Sequence, residues 1–183
     1  DNGANAFNNN KDATQLKAER LSVKGGWNTT RSLLAFDLFC LPANTTVNSA
    51  SLTLYGNGHN PASRANDSYL YVNTSDWYES TLTWTVQPSH TTTGGIYMAA
   101  TTSSAQNTSL DVTSQVTTWV QNPSSNYGWK LMLADETTSS ATALIYGSSD
   151  NSTAGLRPTL VLNVSIPALT DAQRNWSMEE TYD

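Results

Sequence analysis

The sequence predicts an all-β chain, an antiparallel β-sandwich of jelly-roll type with one short crossover helix. Three observations lead there. Short runs alternate apolar and polar residues, clearest where Ala50, Leu52 and Leu54 face one way and Ser51, Thr53 and Tyr55 the other. Clusters of Gly, Asn, Pro and Ser separate these runs at short intervals. One stretch alone changes period, with Val116, Trp119 and Val120 spaced as on a helix face. An immunoglobulin-like sandwich is the runner-up, weakened by the lack of a Cys…Trp…Cys pattern.

Residues 1–12 are polar and rich in Asn, and read as an N-terminal arm. The stretch Thr14 to Val23 holds Leu16 and Ala18 in one phase and Leu21 and Val23 in the other, which predicts a strand with a bulge near Glu19–Arg20. Gly25-Gly26 closes it. RSLLAFDLF, from Arg31, reads as a mostly buried strand, and Asn48 to Tyr55 as a half-buried one. Gly56 to Ala65 is a loop, and Ser68 to Ser75 a strand with Leu70 and Val72 inward. QPSHTTTGG reads as turns and IYMAATT as a weak strand. A helix is expected at about residues 114–121, capped by Thr113 and stopped by Asn122-Pro123. YGWKLML, ATALIYGS and PTLVLNVSI supply three more strands, the last with Leu160, Leu162, Val164 and Ile166 on one face. The domain is thus expected over 13–166, followed by a tail, 167–183.

At the centre lies DWYESTLTW, Asp76 to Trp84. Neither of its alternating faces is cleanly apolar, so a bend near Glu79–Ser80 is expected, turning Trp77 and Trp84 inward to anchor the core.

Charge narrows the function. With 183 residues, a net charge of −6 and only nine Lys and Arg, the chain has no basic face for a polyanion, so nucleic acid is not an expected partner. No apolar run approaches the ~18 residues of a membrane span. There is no leading Met and no apolar leader, which reads as a mature or trimmed chain. The single Cys40 excludes an intramolecular disulfide and reads as a small buried apolar residue.

Eight asparagines head N-x-[ST] sequons: Asn28, Asn44, Asn66, Asn73, Asn107, Asn151, Asn163 and Asn175. A composition this rich in Asn, Ser and Thr produces roughly five by chance. Used, they imply an extracellular, N-glycosylated protein carrying covalent glycans.

Enzyme chemistry finds little footing, and no catalytic residue is assigned. His59 and His90 stand apart, and the acid pairs Asp76 with Glu79 and Asp135 with Glu136 read as solvated. No cofactor is required. A structural calcium on the Asn-rich arm, through Asp1 and Asp12, is the one metal the oxygen-bearing residues allow. Sugar binding would draw on exposed aromatics: Trp27 beside the Gly-Gly turn, and Tyr55, Tyr69 and Tyr71 facing outward. With so few basic residues, a neutral glycan is favoured over an acidic one.

Six blocks, RSLLAFDL (Arg31 to Leu38), NSASLTLY (Asn48 to Tyr55), WYESTLTW (Trp77 to Trp84), LDVTSQVTTWV (Leu110 to Val120), NYGWKL (Asn126 to Leu131) and LRPTLVLNV (Leu156 to Val164), occur in the order found in DNRLRE-type domains, and the chain resembles that family over about residues 12–166. The resemblance implies an extracellular β-sandwich, non-catalytic, of a kind whose members include carbohydrate-binding modules attached to alginate lyases and other polysaccharide enzymes. The chain departs from the family pattern in lacking an opening strand before its Asn-rich loop, and in running on beyond the last strand.

Those departures, with the sequons, lead to the primary expectation. It is a secreted structural glycoprotein that partners copies of itself, building a cell-surface fibre head-to-tail by strand complementation through a terminal segment. Phe7, Ile166, Ala168, Leu169, Trp176 and Met178 are the apolar residues available for such a joint. The alternative is a carbohydrate-binding module of a larger polysaccharide-active or cell-surface protein.

Overall fold

The computed structural model describes residues 9–42, 44–60 and 65–168. In chain order its strands are β1 (Gln15–Val23), β2 (Gly26–Thr30), β3 (Ser32–Leu34), β4 (Thr46–Leu54), β5 (Ser68–Asn73), β6 (His90–Met98) and β7 (Thr108–Asp111). The helix α1 (Thr113–Gln121) follows, then β8 (Trp129–Leu133), β9 (Thr142–Gly147) and β10 (Thr159–Ser165). They form three antiparallel sheets ordered β2-β1-β9, β10-β4-β7 and β3-β8-β5-β6. Bridges from Gly56 to Tyr146 and from Asn60 to Ala143 tie the first sheet to the chain leaving β4. The fold is the all-β sandwich that the alternation predicts.

One apolar cluster runs through all three sheets and the helix. Leu52 and Leu54 on β4, Leu70 on β5 and Leu131 on β8 are fully enclosed, as period-2 alternation requires of the inward face. Val116 and Trp119 bring α1 onto the same core. Trp119 meets Trp129 edge-on at 4.5 Å between ring centroids, and Phe36 meets Trp129 at 6.4 Å. Edge-to-face rings at such distances add to the area they bury.

The β1–β2 hairpin closes through Lys24 and Gly25, at φ of 49° and 81°, the left-handed pair that a two-residue hairpin turn needs. Helix α1 begins one residue earlier than expected. Thr113 is its first residue rather than its cap, and the Asp111 carboxylate accepts the Thr113 N–H at 2.9 Å. The backbone N–H of Asn122 still bonds Thr118, and Pro123 then ends the helix.

Several expectations are corrected. Trp77 and Trp84 lie in a long loop with a single 3-10 turn at Glu79–Thr81, and both are half-buried at its surface. Trp119 and Trp129 hold the core in their place, because polar neighbours on both faces of the Trp77–Trp84 run leave it no side to bury. The strand β1 carries no bulge; it changes partners at Glu19–Arg20, pairing β9 before and β2 after, and the shift in apolar phase marks that exchange. The strand from Arg31 is short, since the chain turns out of the sheet after Leu34 and leaves Phe39 89% exposed. Cys40, on the same turn, is exposed rather than buried. The Thr- and Gly-rich run before Ile96 is not a turn region but part of β6, where a register shift opposite Tyr71 absorbs the extra residues.

His59 pins two loops to the sheet. Its Nδ1 accepts the backbone N–H of Ile145 at 2.8 Å, so Nε2 carries the proton and donates to the Gln106 carbonyl at 2.7 Å. The ring stands edge-on to Tyr146, 4.8 Å away. Burial holds its pKa below the usual 6.5. As pH falls, the unfolded chain therefore takes up this proton before the folded one does. The contribution to stability is complete above 6.5 and declines as pH drops below it toward the folded value. Thermal melts of the wild type and His59→Gln at about pH 7.5 and about pH 5 test this. The variant should be less stable by about 1–3 kcal/mol at the higher pH, and the gap should narrow at the lower one; a constant gap sinks the assignment.

Candidate functional site

Alternation along β5 and β8 sends Leu70, Trp129, Leu131 and Leu133 to the core and Tyr69, Tyr71, Lys130 and Met132 to the opposite face of their sheet. Cross-strand register then places Tyr97 of β6 opposite Tyr69, and His90 at the strand start opposite Asn73. Four rings form a row. Tyr97 meets Tyr69 edge-on at 5.4 Å, Tyr69 stacks on Tyr71 at 5.2 Å and 10° between planes, and Tyr71 tilts against His90 at 5.3 Å. Tyr97 is 54% exposed and ends the row in solvent.

Gly95 makes room for this row. A Cβ there would lie 2.5 Å from Cδ1 and Cε1 of Tyr71, so the ring rests where any other residue would place a side chain.

A polar wall stands beside the row. Arg31 is the single residue between β2 and β3. Its guanidinium grips Glu136 in two parallel bonds, Nε to Oε1 at 2.8 Å and Nη2 to Oε2 at 2.5 Å. The same group lies 4.5 Å over the Trp84 ring. Gln87 bonds back to the Trp84 carbonyl at 2.7 Å. Beneath this loop Lys130, 2% exposed, donates from Nζ to the Pro88 carbonyl at 2.6 Å. Burial, and then the Arg31 charge, pull its pKa down to about 8 against partial compensation from Glu136. Burial, Lys130 and Arg31 lower the pKa of His90 in the same way, so its imidazole is neutral near pH 7. A fixed carboxylate and guanidinium beside a row of half-buried rings that ends in the exposed Tyr97 can exchange hydrogen bonds with a hydroxyl-rich ligand while its apolar faces lie on the rings.

On its other side the Trp84 loop borders a groove of about 700 Å³, lined among others by Trp77, Leu82, Trp84, Arg31, Leu16 and Phe36.

With this geometry in view, the comparison with known families is decisive. The model of carbohydrate-binding module family 96 matches residues 1–164. The chain belongs to this family. No curated protein matches it. A carbohydrate-binding module is a non-catalytic unit, typically extracellular or secreted. Among the described residues no helix is long and apolar enough to cross a membrane.

Of the aromatics expected to hold sugar in such a module, Tyr69 and Tyr71 come together, whereas Tyr55 and Trp27 do not join them. Tyr55 sits at the end of β4 and accepts the Gly147 N–H through its carbonyl. Trp27, on β2, packs under the Arg20 guanidinium at 5.4 Å. Sequence reasoning missed Tyr97, His90, Arg31, Gln87 and Glu136. Tyr97 was within reach, as an aromatic on the weak strand predicted from Ile96. The Arg31–Glu136 pair spans 105 positions and leaves no local signal.

Asp76 and Glu79 are exposed, Asp135 accepts from the N–H and hydroxyl of Thr137, and Glu136 is held by Arg31. Asp12 pairs with Lys11, and Asp1 lies outside the described residues. Among the described residues no group of three or more His, Cys, Asp or Glu could hold a metal. Of the residues expected at an assembly joint, Ile166 is 58% exposed and Ala168 is exposed, while Phe7, Leu169, Trp176 and Met178 lie outside the described residues.

The sequons divide by burial. Asn44, Asn107 and Asn163 are exposed and Asn28 is half-buried; Asn175 lies outside the described residues. Asn66, Asn73 and Asn151 are buried, which conflicts with glycans there. The linkage atom Nδ2 of Asn66 already donates to Thr101 Oγ1 and the Ala143 carbonyl, that of Asn73 to the Tyr127 carbonyl, and that of Asn151 to the Thr14 carbonyl. A sugar on any of these would break the bond and force the packing apart.

The fit of Tyr71 over Gly95 has a measurable consequence. Gly95→Ala should destabilise the protein by about 1–3 kcal/mol, and Tyr71→Ala should remove most of that cost, giving a coupling above about 1 kcal/mol in a denaturant double-mutant cycle. Additive effects contradict the contact.

Proposed function

We propose that the protein is a non-catalytic module that binds a neutral polysaccharide along the outer face of the β3-β8-β5-β6 sheet. The row Tyr97–Tyr69–Tyr71–His90 carries the reading, because it sets rings along an exposed sheet face beside a fixed Arg31–Glu136 pair. Family membership supports the carbohydrate class. A neutral ligand is favoured because the guanidinium at the site is already matched by a carboxylate in two bonds, and the Lys130 ammonium is enclosed under Pro88. The acidic chain as a whole, at −6, repels polyanions.

Affinity electrophoresis against neutral and acidic polysaccharides tests the reading. The wild type should be retarded by a neutral polymer, Tyr69→Ala and Tyr97→Ala should each weaken binding by about tenfold, and Trp27→Ala should not. Retardation lost only with Trp27→Ala would move the site to the β1–β2 hairpin.

A second reading, a structural subunit of an extracellular fibre joined through a terminal segment, draws on one observation. Among the described residues the strand β10 has a neighbour on one side only, β4, and its core-facing Leu160, Leu162 and Val164 are half-buried. A strand laid along that edge would complete both its hydrogen bonding and its burial. Electron microscopy of the native material beside a variant lacking residues 167–183 decides: filaments lost on truncation support this reading, and monomers in both samples remove it. Glycans on the exposed Asn44, Asn107 and Asn163 fit the carbohydrate reading, since none of the three is on β5, β6 or β8, whereas Asn163 lies on β10, the strand that a joining segment would flank.

A further inference from the structure

The groove behind the Trp84 loop is built as firmly as the tyrosine face. Asn9 Nδ2 donates to the carbonyls of Glu79 and Leu82, at 2.6 and 2.8 Å, and so clamps the 3-10 turn that shapes one side. The Trp77 indole N–H is taken by the Tyr127 carbonyl at 2.8 Å, which fixes that ring. Trp84 is fixed by the Arg31 guanidinium stacked on it and by the Gln87 bond to its own carbonyl. Two indoles are thus held in place before any ligand arrives, and a site so ordered loses little entropy on binding. Its volume of about 700 Å³ is within the range of small-molecule and oligomer sites.

Three of the four cations that line it are paired with carboxylates. Lys17 faces Glu19 at 3.9 Å, Lys11 holds Asp12, and Arg31 holds Glu136. The fourth, Arg157, donates its Nε to the Asn151 carbonyl, and Glu79 and Asp150 add carboxylates to the lining, so the groove holds no surplus of positive charge and presents amide, carboxylate and ammonium groups to hydroxyls. One ion pair links the groove with the tyrosine face. Arg31 lines the groove, and its partner Glu136 is near enough to Tyr71 and His90 for its charge to act on both.

We propose that this groove is a second glycan subsite, which takes the continuation of the same uncharged, hydroxyl-rich chain past the Arg31–Glu136 pair. The proposal rests on the carbohydrate reading above and adds the position and extent of the site. Trp77 and Trp84 supply the stacking faces, and Glu79, exposed at the rim, accepts hydroxyl hydrogen bonds.

Calorimetry with cello-, xylo- and manno-oligosaccharides from two units to about eight tests it on the full chain. Affinity should rise with length until both surfaces are spanned. Trp77→Ala should cost about tenfold for the longest binding oligomer and nothing for the shortest, whereas Tyr69→Ala should weaken both. Glu79→Ala, at an exposed position outside the core, should weaken the longest oligomer selectively as well, and circular dichroism and thermal melts confirm that each variant is folded. Longest-oligomer affinities equal to wild type in both groove variants overturn the subsite and leave the tyrosine face as the whole site. That result would also be the outcome if a protein segment filled the groove. A wild type that binds no oligomer of the three series overturns the carbohydrate reading itself, and the subsite with it.

Discussion

The arrangement of the candidate surface depends on Arg31. It is the only residue between β2 and β3, where the chain passes from one sheet to another, and its side chain is gripped from two directions. Glu136 takes it in a bidentate pair and Trp84 covers its flat side. A guanidinium is suited to this, being planar, permanently charged and weakly hydrated enough to lie under an indole. Through it the strand crossing, the loop after β8 and the long loop between β5 and β6 share one fixed point. Lysine at this position would keep the charge and lose both the fork and the stacking face.

The long loop is a second case of order without regular structure. It has one 3-10 turn and no strand, yet Asn9, Tyr127, Lys130 and Gln87 each hold a defined atom of it. Lys130 is the least expected of these. An ammonium so deeply enclosed is expensive to keep charged, which is why its pKa falls to about 8. Its remaining stabilisation comes from the Pro88 carbonyl and the nearby Glu136 charge. The loop is therefore tied to the sheet by a charge-assisted bond in a dry setting, where such bonds are strong.

Much of the scaffold was legible from the sequence, and the reasons are physical. Ala50, Leu52 and Leu54 declare β4 because one face of that strand is buried and the other is not. Val116 and Trp119 declare α1 by their spacing. The reading failed where local chemistry has two outcomes. Gly94 and Gly95 suit a turn as well as a strand irregularity, and only the presence of Tyr71 above Gly95 selects the latter. Trp77 and Trp84 suit a core as well as a surface loop, and the choice was made by Trp119 and Trp129 having already filled the centre. For the site, Tyr69 and Tyr71 were visible as outward residues of one strand. Their extension to Tyr97 and His90 depends on the β5–β6 register, and that register passes through the irregularity the sequence disguised.

The buried and exposed asparagines give the molecule a polarity. The three sequons exposed among the described residues lie on β10 (Asn163), ahead of β7 (Asn107) and ahead of β4 (Asn44), all belonging to the β10-β4-β7 side, while the rings stand on the outer face of the β3-β8-β5-β6 sheet. A molecule lying ring-side down on a polymer would keep these three asparagines clear of the contact. It would behave as a one-sided tile, able to be coated from behind without loss of contact beneath.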